Sequence, residues 1–377
     1  MAADERVEEI ILEEGKLLYP NLDMTDDQVD AISVLIKGHD LVVNLPVGSG
    51  KSLIFHLLPD AVKNTDIFIC HPEALITSEN ADALLLSLKD KIGAIVIDEC
   101  HKIDDWGKKF RKSFAEIGSL KSFFPAVPFL CMSGTLTESQ LNKLPKDLGM
   151  NKPVVISKSP EITNLYLEVI KKDKGSCIDV YEEIFIREIE KLVSLGPAYP
   201  VTLMFIPMQY MSFAMRYACK AFHEPTLDNA IFGAIFSNQD ADVLDKILSD
   251  LKKDDPQYRL IFATSFLGMG YDSSSVSQVI HARPPRSVTN YIQEIGRAGR
   301  KGQEAKATLH YCKSDISSNL PGLEKNIVDY CLSKTCLRTN LLKVFGFCKS
   351  SNSPVGCRCC SVCKDSCTCD SCQNKDA

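Results

Sequence analysis

The stretch LVVNLPVGSGKSLIFHLLP, residues 41–59, constrains the fold of this chain more than any other. Leu41, Val42, Val43 and Leu45 read as a short buried strand, and Gly48, Ser49 and Gly50 follow as a loop with little side-chain bulk. Ser52 then opens an apolar helix through Leu53, Ile54 and Phe55. A strand, a small-residue loop, Gly-Lys-Ser and a helix place backbone N–H groups and a helix N-terminus around an anion, which is how phosphates are cradled. In that layout Lys51 reaches the β- and γ-phosphates of a nucleotide and the Ser52 hydroxyl sits on Mg²⁺. Leu45 stands where the strict pattern asks for glycine, and an ordinary strand–turn–helix with a chance lysine is the plainer alternative. The loop therefore has to be read together with what lies downstream.

Upstream, residues 4–18 suggest a short acidic helix. A second helix follows with Thr25 as its N-cap and Val29, Ile32, Leu35 and Ile36 at helical spacing. Gln28, in its first turn, has the donor and acceptor needed to read an adenine edge, but alone it is only a polar first-turn residue. After Pro59, IFIC at residues 67–70 reads as a strand entered directly from the phosphate-loop helix. HPEALIT and a helix through LLLSLKD come next, then the apolar strand AIVIDECH. At the C-terminal end of a parallel strand, Asp98 is placed to hold Mg²⁺ and Glu99 to polarise an attacking water. Asp-Glu after an apolar run is common, but paired with Gly-Lys-Ser about fifty residues upstream it points to nucleoside triphosphate hydrolysis.

Directly behind that strand, KIDDWGKKFRKSF interleaves Trp106 and Phe110 with Lys108, Lys109 and Arg111. Such a loop suits stacking on bases and pairing with phosphates, and equally a hydrophobic plug beside the site. VPFLCMSGT reads as a strand ending in Ser133, Gly134 and Thr135, where a hinge would sense the nucleotide. Residues 152–176 are polar and lysine-rich and read as the connection to a second unit. There, strands at VTLMFIP, AIFGAIF, RLIFATS and SQVIHAR alternate with helices, which implies a second doubly wound α/β layer. The last helix, read through QEIGRAGRKG, puts Gln293, Arg297 and Arg300 on one face, where an arginine can stabilise γ-phosphate charge.

With 377 residues, 45% hydrophobic and 24% charged, the chain has the material for two or three globular domains. A net charge of −6 argues against coating polyanions by charge alone, so nucleic-acid contact has to come from a local groove. No run approaches a membrane span, and MAADERVEEI does not read as a signal peptide. Ten of the sixteen cysteines lie from Cys331 onward, clustering that reads as metal binding in a reducing compartment, cytosol or nucleus. Cys357, Cys360 and Cys363 at two-residue intervals, with Cys336 opening an amphipathic helix, suit one tetrahedral Zn²⁺. The alternative is a low-complexity run that holds metal loosely or not at all.

Taken together, LPVGSGKS, IDECH, WGKKFR, SGT, ATSFLGMGYD, QEIGRAGRKG and TCLRTNLLKVFG with its following cysteines resemble the RecQ family of DNA helicases. The resemblance implies two RecA-like parallel-sheet domains, at 1–160 and 161–315, followed by a small helical zinc-binding subdomain and Cys-rich tail at 316–377. It implies ATP bound with Mg²⁺ through Gln28, Gly48, Ser49, Gly50, Lys51, Ser52, Asp98 and Asp272, with Lys51, Asp98, Glu99, Gln293, Arg297 and Arg300 catalytic. Trp106, Lys108, Phe110 and Arg111 are implied to touch DNA. His101, Ser133 and Thr135 are implied to couple hydrolysis to movement, and Cys336, Cys357, Cys360 and Cys363 to hold structural Zn²⁺. The implied activity is 3′→5′ translocation on single-stranded and partially duplex DNA, in a nucleus or a prokaryotic cytoplasm, with no membrane partner. The alternative from another class is a helicase-derived ATP-binding protein that does not unwind; an RNA helicase is disfavoured by the zinc module. Three departures stand out. Met24 and Thr25 replace the residues the family places before its glutamine. A winged-helix domain is not expected after the cysteines. HPEALIT follows the phosphate-loop helix so closely that one βαβα block with the family's first DNA-contacting motifs is expected to be missing.

Overall fold

Three apolar residues and a terminal asparagine, all four buried, make β1 (Leu41–Asn44) the centre of a parallel sheet. The computed structural model describes residues 2–62, 66–76, 81–103, 117–172, 177–264 and 274–373, which divide into units Met1–Pro160 and Glu161–Ala377. In the first unit β2 (Ile95–Ile97), β3 (Phe129–Ser133) and β4 (Val154–Ser157) join β1 in the order β2-β3-β1-β4. All pairings are parallel. A sheet buried on both faces needs apolar residues of both parities. Leu41, Val43, Leu130 and Met132 accordingly pack on one side with helices Ala2–Leu18, Asp26–Ile36 and Ser52–Val62. Val42, Phe129 and Cys131 pack on the other, against Leu120, Leu144 and Leu148.

Two expectations change here. Residues 66–71 form no strand, and Ile67, Phe68 and Ile69 are 44%, 71% and 81% exposed. The hydrophobic run had the composition of a buried strand but finds no ladder to join, and β2 is left at the sheet edge. Residues 152–176 are also more than a connection. They contain β4, which closes the first sheet, and β5 (Leu165–Lys171), which opens the second.

The second unit holds β5, β6 (Thr202–Phe205), β7 (Phe232–Ile235), β8 (Leu260–Ala263), β9 (Gln278–His281) and β10 (Ala305–Tyr311). Their order is β5-β10-β9-β6-β8-β7, again with parallel pairings throughout. The helices Cys177–Leu195 and Met208–Ala221 cover one face. The other face is shared by Val288–Ile295 and by Ile327, Tyr330, Leu337, Leu341, Phe345, Cys359 and Cys360 from the C-terminal region. That region also covers the β5 edge. The Leu167 N–H donates to the Cys359 carbonyl at 3.4 Å, and Leu167 bridges Cys360 in parallel. Covering an edge in this way removes a row of unpaired backbone groups. The buried Arg338 guanidinium adds bonds to the carbonyls of Ile162, at 2.8 Å, and Leu165. No described helix is long and apolar enough to cross a membrane.

Candidate functional site

The phosphate loop leaves β1 at Leu45, whose N–H donates to the Ser133 carbonyl at 3.1 Å and extends the ladder by one residue. Leu45 is 1% exposed, so the position that departs from the strict glycine pattern is a core position here. Gly48 and Gly50 take φ of +87° and +70°, left-handed geometry that side chains resist, and the helix starts at Ser52. The Lys51 ammonium donates to the carbonyls of Leu45 and Pro46 at 2.9 and 3.0 Å. Ser49 Oγ is buried with no hydrogen-bond partner among the described residues, which suits a loop shaped to surround a polar group. Gln28, 3% exposed, donates from Nε2 to the carbonyls of Ser49 (3.2 Å) and Gly50 (3.1 Å). Its Oε1 accepts the Thr25 N–H at 2.9 Å. More than a polar first-turn residue, it is bonded to the loop itself. It braces the loop.

At the end of β2, Glu99 has φ of +50°, a conformation that costs a non-glycine residue free energy and is kept where the surroundings demand it. Its N–H donates to Asp98 Oδ1 at 2.8 Å. His101 Nδ1 lies 3.2 Å from Glu99 Oε2 and 3.0 Å from Ser133 Oγ, which in turn accepts the Thr135 N–H at 3.1 Å. His101, Ser133 and Thr135 are all buried. Desolvation is the largest influence on both carboxylates. It pushes Asp98 above the ordinary value, with the Glu99 charge beside it also raising it. On Glu99 the hydrogen bond and charge of His101 override desolvation and hold it below the ordinary value. Glu99 is thus kept ionised, while the Asp98 charge has most to gain from a cation. Gly134 closes the arrangement: a Cβ there would lie 3.1 Å from the Leu45 carbonyl and 3.2 Å from Lys51 Nζ. A side chain there would need the Leu45 carbonyl or the lysine to give way by a few tenths of an ångström.

Asn44, which the sequence reading passed over, holds these pieces together. Its Oδ1 accepts the Leu136 N–H at 3.1 Å, and its Nδ2 donates to the Leu136 carbonyl at 3.3 Å and to Ser157 Oγ at 3.2 Å. The available signal was one amide at the end of an otherwise apolar strand.

In the second unit the helix stops at Ile295 with Gly296 as C-cap, so Gln293 lies on it while Arg297 and Arg300 follow in a turn. The single helix face expected for the three is not what forms. Gly299, at φ +75°, lies between the two arginines and takes the chain away from helical geometry. Gln293 and Arg297 are buried, and Arg300 Nε donates to the Gly296 carbonyl at 3.0 Å. Trp106, Lys108, Phe110, Arg111 and Asp272 lie outside the described residues.

The cysteines sort differently from the spacing argument. Cys336, Cys359, Cys360 and Cys363 have their sulfurs within 4.8 Å of one another, and Cys357 groups elsewhere, with Cys367, Cys369 and Cys372. Docking of residues 359 and 360 on β5 decides which cysteine meets Cys336. Cys336 Sγ and Cys359 Sγ are 3.6 Å apart. Zn–S bonds of about 2.3 Å in a tetrahedron put sulfurs about 3.8 Å apart, so this donor set fits one ion. Lys349 Nζ, 3.3 Å from Cys359 Sγ, brings positive charge to the group.

Residues 58–144 match the family model described as DEAD/DEAH box helicase, and residues 192–302 match Helicase conserved C-terminal domain. The bifunctional 3'-5' exonuclease/ATP-dependent helicase WRN of Mus musculus is 29% identical over 318 residues, covering 81% of this chain and 20% of that protein. The RecQ-like DNA helicase BLM of Xenopus laevis is 28% identical, covering 88% and 29%. The ATP-dependent DNA helicase RecQ of Pasteurella multocida is 26% identical, covering 73% and 42%. The chain is similar to RecQ-family helicases over most of its length. This RecQ relative spans less than half the length of each of those three proteins. Its alignment with BLM runs over 414 residues, more than the 377 of the chain, so that relative carries residues this one lacks. Among solved structures, the helicase MrfA bound to DNA and AMPPNP gives a TM-score of 0.59 at 15% identity, covering 91% of this chain and 58% of that one. The DEAD-box helicase Mss116 bound to ssRNA and UDP-BeF gives 0.51 at 14% identity, covering 77% and 70%. These likenesses agree with two RecA-like parallel-sheet domains.

Proposed function

We propose that this RecQ relative is an ATP-dependent DNA helicase that couples hydrolysis to 3′→5′ movement on single-stranded DNA. The observation that carries the reading is the line from Glu99 through His101 to Ser133, with Gly134 against Lys51. Glu99, His101 and Ser133 are linked by hydrogen bonds and Gly134 lies close against Lys51, which supports reading them as the water-positioning carboxylate, the coupling strand and the phosphate-binding lysine of one site. In this reading Lys51 and the loop N–H groups hold the β- and γ-phosphates, and the Ser52 hydroxyl and Asp98 hold Mg²⁺. Glu99 orients the attacking water, and Arg297 and Arg300 are the candidates for stabilising charge that builds on the γ-phosphate. Gln293 accompanies them, and Asp272 belongs to the same nucleotide-binding set. Ser133 and Thr135 change their bonding when Glu99 does and so pass the nucleotide state along β3. Trp106, Lys108, Phe110 and Arg111 are assigned the DNA contacts. Cys336, Cys359, Cys360 and Cys363 are assigned one structural Zn²⁺ whose binding stabilises the cover on β5.

The test is three single variants. Lys51→Ala should abolish binding of a fluorescent ATP analogue. Glu99→Gln and Arg300→Ala should each lower kcat by about a thousandfold with modest change in nucleotide affinity. An Arg300 variant with full ATPase activity removes that residue from the site, and unchanged affinity in Lys51→Ala removes the loop.

A further inference from the structure

Four cysteines fall outside the centre just described yet do not scatter. The sulfurs of Cys357, Cys367, Cys369 and Cys372 lie within 4.8 Å of one another. Cys357 Sγ and Cys369 Sγ are 3.7 Å apart. A disulfide needs about 2.05 Å, whereas a tetrahedral four-thiolate ion with bonds of about 2.3 Å needs about 3.8 Å between sulfurs. The backbone is shaped around the group. Gly356 takes φ of +58°, and a Cβ there would come within 3.2 Å of Cys367 Sγ. The Cys372 N–H donates to the Cys369 carbonyl at 2.8 Å, closing the tight turn that lets both ends of C-x-x-C face one point. Local helicity does not hold this segment: Ser361–Asp365 and Asp370–Gln373 have five and four residues, far below what stands alone.

We propose that Cys357, Cys367, Cys369 and Cys372 form a second four-thiolate Zn²⁺ site, so that the chain carries two ions. The two sites interleave along the chain. Cys357 goes to the outer site, Cys359, Cys360 and Cys363 return to the inner one, and the last three cysteines complete the outer one. Neither can then close fully without its neighbour, and the outer ion staples the end of the described chain to the segment that covers β5. Each thiol that binds releases its proton to solvent, so loading is favoured as pH rises. Tetrahedral sulfur ligation favours Zn²⁺ among the common divalent ions.

The experiment is metal counting on the full chain purified under reducing conditions. Elemental analysis and native mass spectrometry should give two Zn²⁺ per chain, and one in the double variant Cys367→Ser, Cys372→Ser. Substitution with ¹¹³Cd should give two resonances in the four-sulfur range from the unaltered chain, a readout that does not depend on any variant folding. Native alkylation should label Cys348, exposed and in neither group, ahead of Cys367 and Cys369. One ion per chain, two ions retained by the double variant, a single ¹¹³Cd resonance, or an intact mass showing these cysteines paired as disulfides would each overturn the second site.

Discussion

Asp40 immediately precedes β1 and is 4% exposed. Its carboxylate accepts from the Lys121 ammonium at 2.7 Å and from the backbone N–H groups of Phe129 at 2.8 Å and Asn151 at 2.7 Å. Burial alone would raise its pKa, but those three donors outweigh burial and hold it below the ordinary 3.8. Removing one partner of a buried pair leaves the other charge uncompensated, so Asp40→Ala should lower unfolding stability by about 3–5 kcal/mol in a urea titration. A depressed carboxylate pKa gives stability that is complete above the unfolded value and is lost as pH falls through the folded one. The Asp40 contribution should therefore decline only below about pH 4, and Asp40→Asn should be flat in that window. At the site, His101 holds Glu99 down, so His101→Ala should move the acid limb of the kcat–pH profile to higher pH. An unmoved limb would remove His101 from that role. The placement of Lys51, Asp98 and Glu99 just beyond strand ends was legible because strand-end motifs are local. Gln28 and Cys359 were not, because their partners are set by packing: the carbonyls of the phosphate loop for one, the β5 edge for the other.

Among elements, the mostly apolar strands β1, β3, β6 and β8 could be read directly because burial on both faces writes hydrophobicity at nearly every position, with Asn44, Ser133 and Thr202 the polar exceptions at strand ends. β5 and β10 were missed. Each mixes lysine or glutamate with apolar residues, as in LYLEVIK and AKATLHY, and the Lys306–Glu168 pair at 2.8 Å shows their polar residues meeting across the ladder. IFIC erred in the other direction: composition predicted burial, but no described strand offers it a ladder. Ile69 is 81% exposed, so Ile69→Asp should change stability by no more than about 0.5 kcal/mol while reducing aggregation. A loss of several kcal/mol would return the segment to a buried strand. The helix Val288–Ile295 stops about two turns short of the Gly302 that the arginine spacing implies, because Gly296 caps it and Gly299 takes a left-handed φ.

At the scale of the whole molecule, the proposed ATP-driven motor on DNA is carried by a net acidic chain of −6. Phosphate contacts supply most non-specific DNA affinity, and such a chain has little spare positive charge beyond its dedicated loops. Hydrolysis and single-strand binding should therefore outlast efficient duplex separation, with strand-separation rates well below those of an intact helicase core. Binding should also weaken steeply with salt. The most direct measurement is the ATPase rate of residues 1–377 with and without single-stranded DNA, alongside Glu99→Gln. Hydrolysis that requires Mg²⁺, rises several-fold or more with single-stranded DNA and vanishes in Glu99→Gln is the predicted result. A rate that DNA does not change, or that survives Glu99→Gln, would contradict the account.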